Sequence, residues 1–281
     1  MVKIITDSTS DLTVDLLEKY DISVLPLHIM LGEDEYLDGV NITPQEIYDW
    51  SDAHGMTPKT SAPSQEMAEE LLKPYVEAGR QVVCFSISGE MSASGSIMRL
   101  AAEELGASEL VHVVDSANLS TGIGHLVVEA AIMARAGADA EEIVRRMEEL
   151  KPLVRASFVV DTLVYLHRGG RCSGLAAMAG SVLKLHPRIV VEDGKMNPGK
   201  KYRGHLDKVV MAYVTDMEED LKHAKKDRVF ITHSGCDREL VEQVRAYLTS
   251  LHHFDEVLET RAGGVISSHC GPGTLGVLFI A

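Results

Sequence analysis

The first half of the chain alternates short β-branched apolar runs with stretches whose apolar positions recur every three to four residues. That rhythm is the sign of βαβ units built around a parallel sheet. Val2 to Thr6 predicts a first strand, Leu12 to Tyr20 a helix, and Ser23 to Leu31 an apolar strand running through Pro26. Thr43-Pro44-Gln45-Glu46 joins a capping box to a proline at the first helical position, so a helix should start there and run toward His54. Ser64 is suited to cap a further helix reaching Glu77. Gln81 to Ser86 reads as strand, Ser94 to Leu105 as helix, Leu110 to Asp115 as strand, and Thr121 to Arg135 as a helix closed by Gly137. Asp139-Ala140-Glu141-Glu142 opens one more helix.

After Pro152 the pattern changes. Ile189 to Met196 carries Asp193-Gly194 between two apolar arms, the signature of a hairpin with a type I′ turn, so this half is not simply more parallel sheet. Helices are expected over His205 to Ala224 and Asp237 to Leu251, with strands at Arg228 to Thr232, near Glu256 to Thr260, and at the C-terminus. The expected fold class is therefore α/β with two domains: residues 1-154, a mostly parallel sheet flanked by helices, and residues 155-281, a mixed α/β unit.

Composition narrows the function classes. The 281 residues are 45% hydrophobic and 25% charged, enough to bury a sizeable core. Lys+Arg 27 against Asp+Glu 42 gives a formal charge of -15, so the surface field repels polyanions and argues against nucleic acid as a partner. No apolar run approaches the roughly 18 residues of a membrane span, and Asp7 ends the first apolar stretch too early for a secretory signal, which points to the cytoplasm. The four cysteines, Cys84, Cys172, Cys236 and Cys270, are scattered without metal-binding or disulfide spacing.

Candidate chemistry gathers after the expected strands. Asp7-Ser8-Thr9-Ser10, then Ser86-Ile87-Ser88-Gly89 running on to Ser92-Ala93-Ser94-Gly95, and Asp115-Ser116-Ala117-Asn118 with Ser120-Thr121-Gly122 all fall where an α/β sheet presents its ligand crevice. Each cluster is equally able to cap the helix that follows it. Gly122-Ile123-Gly124 lacks the third glycine of a dinucleotide fingerprint, and neither a Walker A loop nor a Gly-x-Ser-x-Gly elbow is present. Two basic clusters, His167-Arg168-Gly169-Gly170-Arg171 and Lys200-Lys201-Tyr202-Arg203, stand out in an acidic chain as places to receive a carboxylate or phosphate, or as solvated turns. His269 falls in Ser267-Ser268-His269-Cys270-Gly271-Pro272-Gly273, read as a bend before the last strand; if that segment is extended, Cys270 points away from it.

Taken together, these residues resemble the DegV family of bacterial fatty-acid-binding proteins. The resemblance runs over the whole chain: Ile5 to Leu12, Thr60-Ser61-Ala62-Pro63-Ser64, Ser86 to Ser94 with Val114-Asp115-Ser116, Leu163 to Arg171, Lys184-Leu185-His186-Pro187, and Ser268 to Gly273. It implies a two-domain α/β protein that holds one long-chain fatty acid in a tunnel between its domains, with no cofactor. By that resemblance Thr60, Ser61, Ser92, Ala93, Ser94 and His269 surround the carboxylate, Ala93 standing where the family has a glycine. Some members are similar to the lipid-carrying subunit of fatty acid kinase, which offers the carboxylate to a dihydroxyacetone-kinase-like subunit. Arg171 and Arg203 would then steady an acyl phosphate or touch that kinase. Two other readings stay open at this point: an acyl hydrolase using Ser92 or Ser94 with His269 as base, and a DNA-interacting regulator, for which no helix-turn-helix pattern is found.

Overall fold

The computed structural model describes residues 1–172 and 185–281; Lys184 of the Lys-Leu-His-Pro motif lies outside the described residues. The described strands form three sheets. The first contains β1 (Lys3–Asp7) and β2 (Ile22–Leu25), with α1 (Val14–Tyr20) between them. Pro26 then interrupts the run expected to be one strand. It has no N–H to give to a ladder, and the chain leaves the first sheet to make β3 (His28–Leu31), which pairs antiparallel with β4 (Asp34–Leu37) and β5 (Lys59–Ser61) in a small second sheet. The capping box at Thr43 and Glu46 forms as expected at the start of α2 (Pro44–His54).

The first sheet is completed by β6 (Val82–Ser86) and β7 (Val111–Asp115), reached through α3 (Gln65–Glu77) and α4 (Ser94–Glu104). All its pairings are parallel and its order is β2-β1-β6-β7. The order reverses between β1 and β6, which makes that junction a topological switch point, the usual place for a ligand crevice in such sheets.

The third sheet is mixed. After α5 (Thr121–Ala136) and α6 (Ala140–Leu150) it takes in β8 (Val154–Val159), then, past α7 (Val164–Gly169), the hairpin β9 (Leu185–Glu192) and β10 (Lys195–Arg203). Asp193 and Gly194 both have positive φ, 49° and 77°, as a type I′ turn requires. The helix expected over His205 to Ala224 is broken in two, α8 (Leu206–Thr215) and α9 (Glu218–His223). β11 (Arg228–His233), α10 (Arg238–Ser250), β12 (Glu256–Arg261), α11 (Gly264–Cys270) and β13 (Leu275–Ile280) finish the chain, and the sheet order is β10-β9-β8-β13-β11-β12.

The two larger sheets share one core. α5 is buried along nearly its whole length, with Ile123, Leu126, Val127 and Ala130 in the same cluster as Phe85 of β6 and Phe158 and Leu278 of the mixed sheet. A helix apolar on every face belongs between two layers rather than on a surface. The Gly122-Ile123-Gly124 pair serves that packing: a methyl on Gly124 would lie 2.9 Å from Leu12 and 3.2 Å from the Ser10 carbonyl. His125 is neutral in this core, its pKa pushed by burial down to about 4, with Nε2 3.0 Å from the Leu278 carbonyl oxygen.

Candidate functional site

A cavity of about 280 Å³ opens at the switch point. Its walls are apolar: Leu27 after β2, Ile87 after β6, Leu119 before α5, Met196 on β10, and Val265 and Ile266 on α11. Its rim is polar and carries Thr60, Ser61, Ser92, Ala93, Arg171 and His269. Beneath it a smaller hollow of about 30 Å³ reaches Phe158, Gly276 and Leu278 in the mixed sheet. The two meet at Leu119, Ile266 and Cys270, which line both. Polar rim, apolar shaft and apolar floor suit an amphiphile that enters tail first.

On the rim, Thr60 Oγ1 lies 2.8 Å from His269 Nε2. Burial, with a smaller contribution from the Arg171 guanidinium, pushes the His269 pKa down to about 4, so the ring is neutral near pH 7. Its other nitrogen, Nδ1, is buried without a partner. An orphaned N–H is rarer in proteins than an orphaned acceptor, which assigns the proton to Nε2. His269 then donates to Thr60, and the Thr60 hydroxyl hydrogen is left to donate into the cavity. Gly169 makes room for this ring: a Cβ there would stand 2.4 Å from His269 Nδ1. The Gly169-Gly170 pair, read from sequence as part of a basic turn, thus forms the end of α7 and its cap, and α7 packs against α11.

His269 itself sits on α11 rather than in a bend. The helix is only seven residues long, begins at Gly264 after Gly263 and is followed by Gly271-Pro272-Gly273, a composition that reads as loop. Because the segment is helical, Cys270 does not point away; it turns into the cavity wall, and burial raises its thiol pKa so that it stays a neutral group.

Ser92 and Ser94 are placed differently. Ser92 is half-buried on the rim, and its Oγ accepts from the Ser94 N–H at 3.3 Å. Ser94 is fully buried and does not line the cavity: its hydroxyl donates to Asp7 Oδ2 at 2.8 Å. The structure does not bring Ser94, expected among the carboxylate residues, to the cavity: its hydroxyl is engaged by Asp7 instead. Asp7 also accepts from the Ile87 N–H at 2.9 Å and from the Thr9 hydroxyl at 2.5 Å, so it joins the ends of β1 and β6 to the start of α4. Burial raises its pKa, and these three bonds together with a fourth from the Thr9 N–H at 3.2 Å oppose the rise. Ala93 is the N-cap residue of α4 with φ -82°, an ordinary conformation for an L-residue, and the methyl in place of glycine is accommodated without backbone strain. Ala93 has no side-chain oxygen to cap that helix, whose first amide, the Ser94 N–H, is taken up by Ser92 Oγ; the helix start lies beside the rim.

Neither serine is bonded to His269, whose two nitrogens face Thr60 and Gly169, so the described residues do not assemble the serine–histidine pair that hydrolysis needs. Arg171 is exposed at the mouth, with one guanidinium nitrogen 2.7 Å from the Gly169 carbonyl oxygen. Arg203 is not brought to the cavity. It is exposed at the end of β10, opposite Leu185. Among the described residues no cluster of His, Cys, Asp or Glu is arranged to hold a metal ion, and no helix is long and apolar enough to cross a membrane.

Known proteins place this architecture. The chain is similar to a fatty acid-binding protein of Thermotoga maritima, at 32% identity over 98% of this chain and 96% of that one. A Thermus thermophilus DegV family protein described by its fatty acid binding superposes with a TM-score of 0.90 at 31% identity, covering 100% of this chain and 99% of the other. A stearic acid-binding protein of Eubacterium ventriosum superposes with a TM-score of 0.86 at 29% identity, covering 100% and 98%. The sequence profile of DegV, a family of uncharacterised proteins, matches residues 1–281, and a match over that whole length means that the chain belongs to the DegV family.

Proposed function

We propose that the chain binds one long-chain fatty acid, with the carboxylate at the rim formed by Thr60, Ser61, Ser92, Ala93 and His269 and the tail in the shaft that descends past Leu119, Ile266 and Cys270. The observation that carries this reading is the Thr60–His269 contact at the head of an otherwise apolar cavity. A neutral histidine that donates to a threonine leaves that threonine a donor, which is what a carboxylate requires and what a protonated acid or an ester uses less well. The N-terminal end of α4 beside the rim adds a dipole of the same sign.

The energies divide the labour. Burying about 14 methylenes at about 0.8 kcal/mol each gives a gross gain on the order of 11 kcal/mol, whereas a charge-assisted hydrogen bond contributes about 1.5 to 3 kcal/mol. The tail supplies affinity, and the rim fixes orientation and head-group choice.

A ligand held with its carboxylate at the mouth is presented to the outside. On this reading the chain is a cytoplasmic carrier without catalysis of its own, and its partner is a dihydroxyacetone-kinase-like fatty acid kinase that phosphorylates the exposed carboxylate on the way to phospholipid. Arg171, exposed beside His269, suits the added charge of an acyl phosphate, and Arg203 suits a contact with the kinase. The reading is tested by denaturing extraction of the purified protein followed by lipid mass spectrometry. About one long-chain fatty acid per chain is expected; traces only, with no uptake of added oleate or palmitate, overturn it.

A further inference from the structure

The wall that carries His269 is fastened at its start by two buried carboxyls from the other end of the chain. Asp11 Oδ1 accepts the Gly263 N–H at 2.8 Å, and Asp38 Oδ1 accepts the Gly264 N–H at 2.7 Å. Asp11 and Asp38 are only 6% and 3% exposed. The two groups close on the same stretch of backbone, since a Cβ on Gly263 would lie 3.1 Å from Asp11 Oδ1 and 3.3 Å from Asp38 Oδ1. One on Gly264 would lie 3.0 Å from Asp38 Oδ1 and 2.6 Å from Ile29. Only glycine lets the backbone approach this closely.

Asp11 holds a second wall as well. Its Oδ2 accepts from the Ser120 hydroxyl at 2.5 Å. Both residues have positive φ, 52° each, and Ser120 has ψ -142°, a region almost reserved for glycine. Strain of that kind persists only where the surroundings over-determine it. Here it turns Leu119, the residue before Ser120, into the neck between the two hollows.

We propose that Asp11 and Asp38 are positioning residues for head-group recognition: by clamping Gly263 and Gly264 they set the register of α11 and so hold His269 Nε2 on Thr60. Neither carboxyl reaches the cavity, and each acts through α11. The inference rests on the carrier reading for its ligand but not for its geometry, and the test separates the two. In ligand-free protein, the Nε2 proton of His269 should give a slowly exchanging imidazole ¹H–¹⁵N signal. That signal should be present in the wild type and in Asp38→Asn, which keeps an acceptor for the Gly264 N–H, and lost in Asp38→Ala and Asp11→Ala.

Binding of palmitate and of methyl palmitate to the same proteins gives the second readout. The preference for the acid over the ester should fall by about tenfold in the alanine variants, the loss of one charge-assisted bond, and stay within about twofold of wild type in Asp38→Asn. Should the alanine variants fail to fold, Ser120→Ala removes one bond to Asp11 while leaving every carboxyl in place, and should still lower the preference by several-fold. A His269 signal and an acid preference that survive in the folded variants overturn the positioning role. A wild-type protein that shows the ring signal but binds neither lipid overturns the carrier reading and leaves the clamp supported.

Discussion

Thr60 and His269, 209 positions apart, meet at 2.8 Å because the small antiparallel sheet and α11 close on one another across the mouth of the cavity. If that contact orients the ligand carboxylate, Thr60→Val, which keeps the shape and removes the hydroxyl, should weaken fatty acid binding by about 1 to 3 kcal/mol. Gly169→Ala attacks the same contact from behind, because its methyl would meet the histidine ring at 2.4 Å, and should weaken binding by a comparable amount. Titration calorimetry with palmitate measures both. Dissociation constants equal to wild type in the two variants would place the head group elsewhere.

The serines of the Ser92-Ala93-Ser94 turn should separate cleanly into a ligand residue and a structural one. Ser92→Ala leaves the fold intact and should lower affinity, since Ser92 faces the rim. Ser94→Ala deprives the buried Asp7 of a donor, and should lower folding stability by about 1 to 3 kcal/mol. Urea unfolding of both variants alongside their lipid affinities reports the division. An unchanged unfolding midpoint for Ser94→Ala would contradict the role given to Asp7.

What could be read from the sequence alone follows from how local each determinant is. The capping box at Thr43 and the Asp193-Gly194 turn act within four residues, and both are where the pattern puts them. The split at Pro26 was legible in principle, because the missing N–H is written in the sequence, but the sheet that β3 joins depends on strands far along the chain. α11 was hidden because a seven-residue helix between glycines has no periodicity to detect. Ser94 and Asp7 illustrate the limit most plainly: a hydroxyl in the right motif is withdrawn from the site by a bond across 87 positions. The apolar walls, Leu27, Ile87, Leu119 and Met196, gave no signal that set them apart from ordinary core.

Asp38 makes stability depend on pH in an uncommon direction for a carboxyl. Burial is the main cause of its pKa rising from 3.8 to about 6, opposed by the Ser8 hydroxyl and by the Gly264 and Val265 amides and assisted by the charge of Asp7. The folded state therefore takes up the proton more readily than the unfolded chain. The stabilisation is fully present below about pH 4 and is lost as pH rises through about 6, a change of about 3 kcal/mol. Asp38→Asn cannot ionise, so its stability relative to wild type should grow as pH is raised from 4.5 to 7.5. Both proteins contain His125 and His269, whose depressed pKa values act in the opposite sense, and their effect cancels in the difference. Denaturant midpoints at the two pH values decide the matter; a constant difference would mean that Asp38 ionises like an exposed carboxyl.

The two arginines make different predictions because only one of them is at the mouth. Arg171 lines the cavity and its charge helps to depress the His269 pKa. In Arg171→Gln that pKa should therefore move up from about 4 toward the ordinary imidazole value, by less than burial would allow, and ring titration by NMR reads it directly. The same variant should load with fatty acid nearly as well as wild type, since the tail supplies most of the affinity, yet slow acyl phosphate formation by a partner kinase, because a guanidinium beside the carboxylate neutralises the charge that phosphorylation adds. Arg203, opposite Leu185 on β10, should behave otherwise. Arg203→Ala should leave both lipid content and the His269 titration unchanged and raise the carrier concentration at which the kinase is half-saturated. A reconstituted reaction that varies carrier and kinase separately distinguishes the two effects. If Arg203→Ala alters lipid content, or Arg171→Gln leaves the His269 titration where it was, the assignment of one arginine to the mouth and the other to the kinase contact fails.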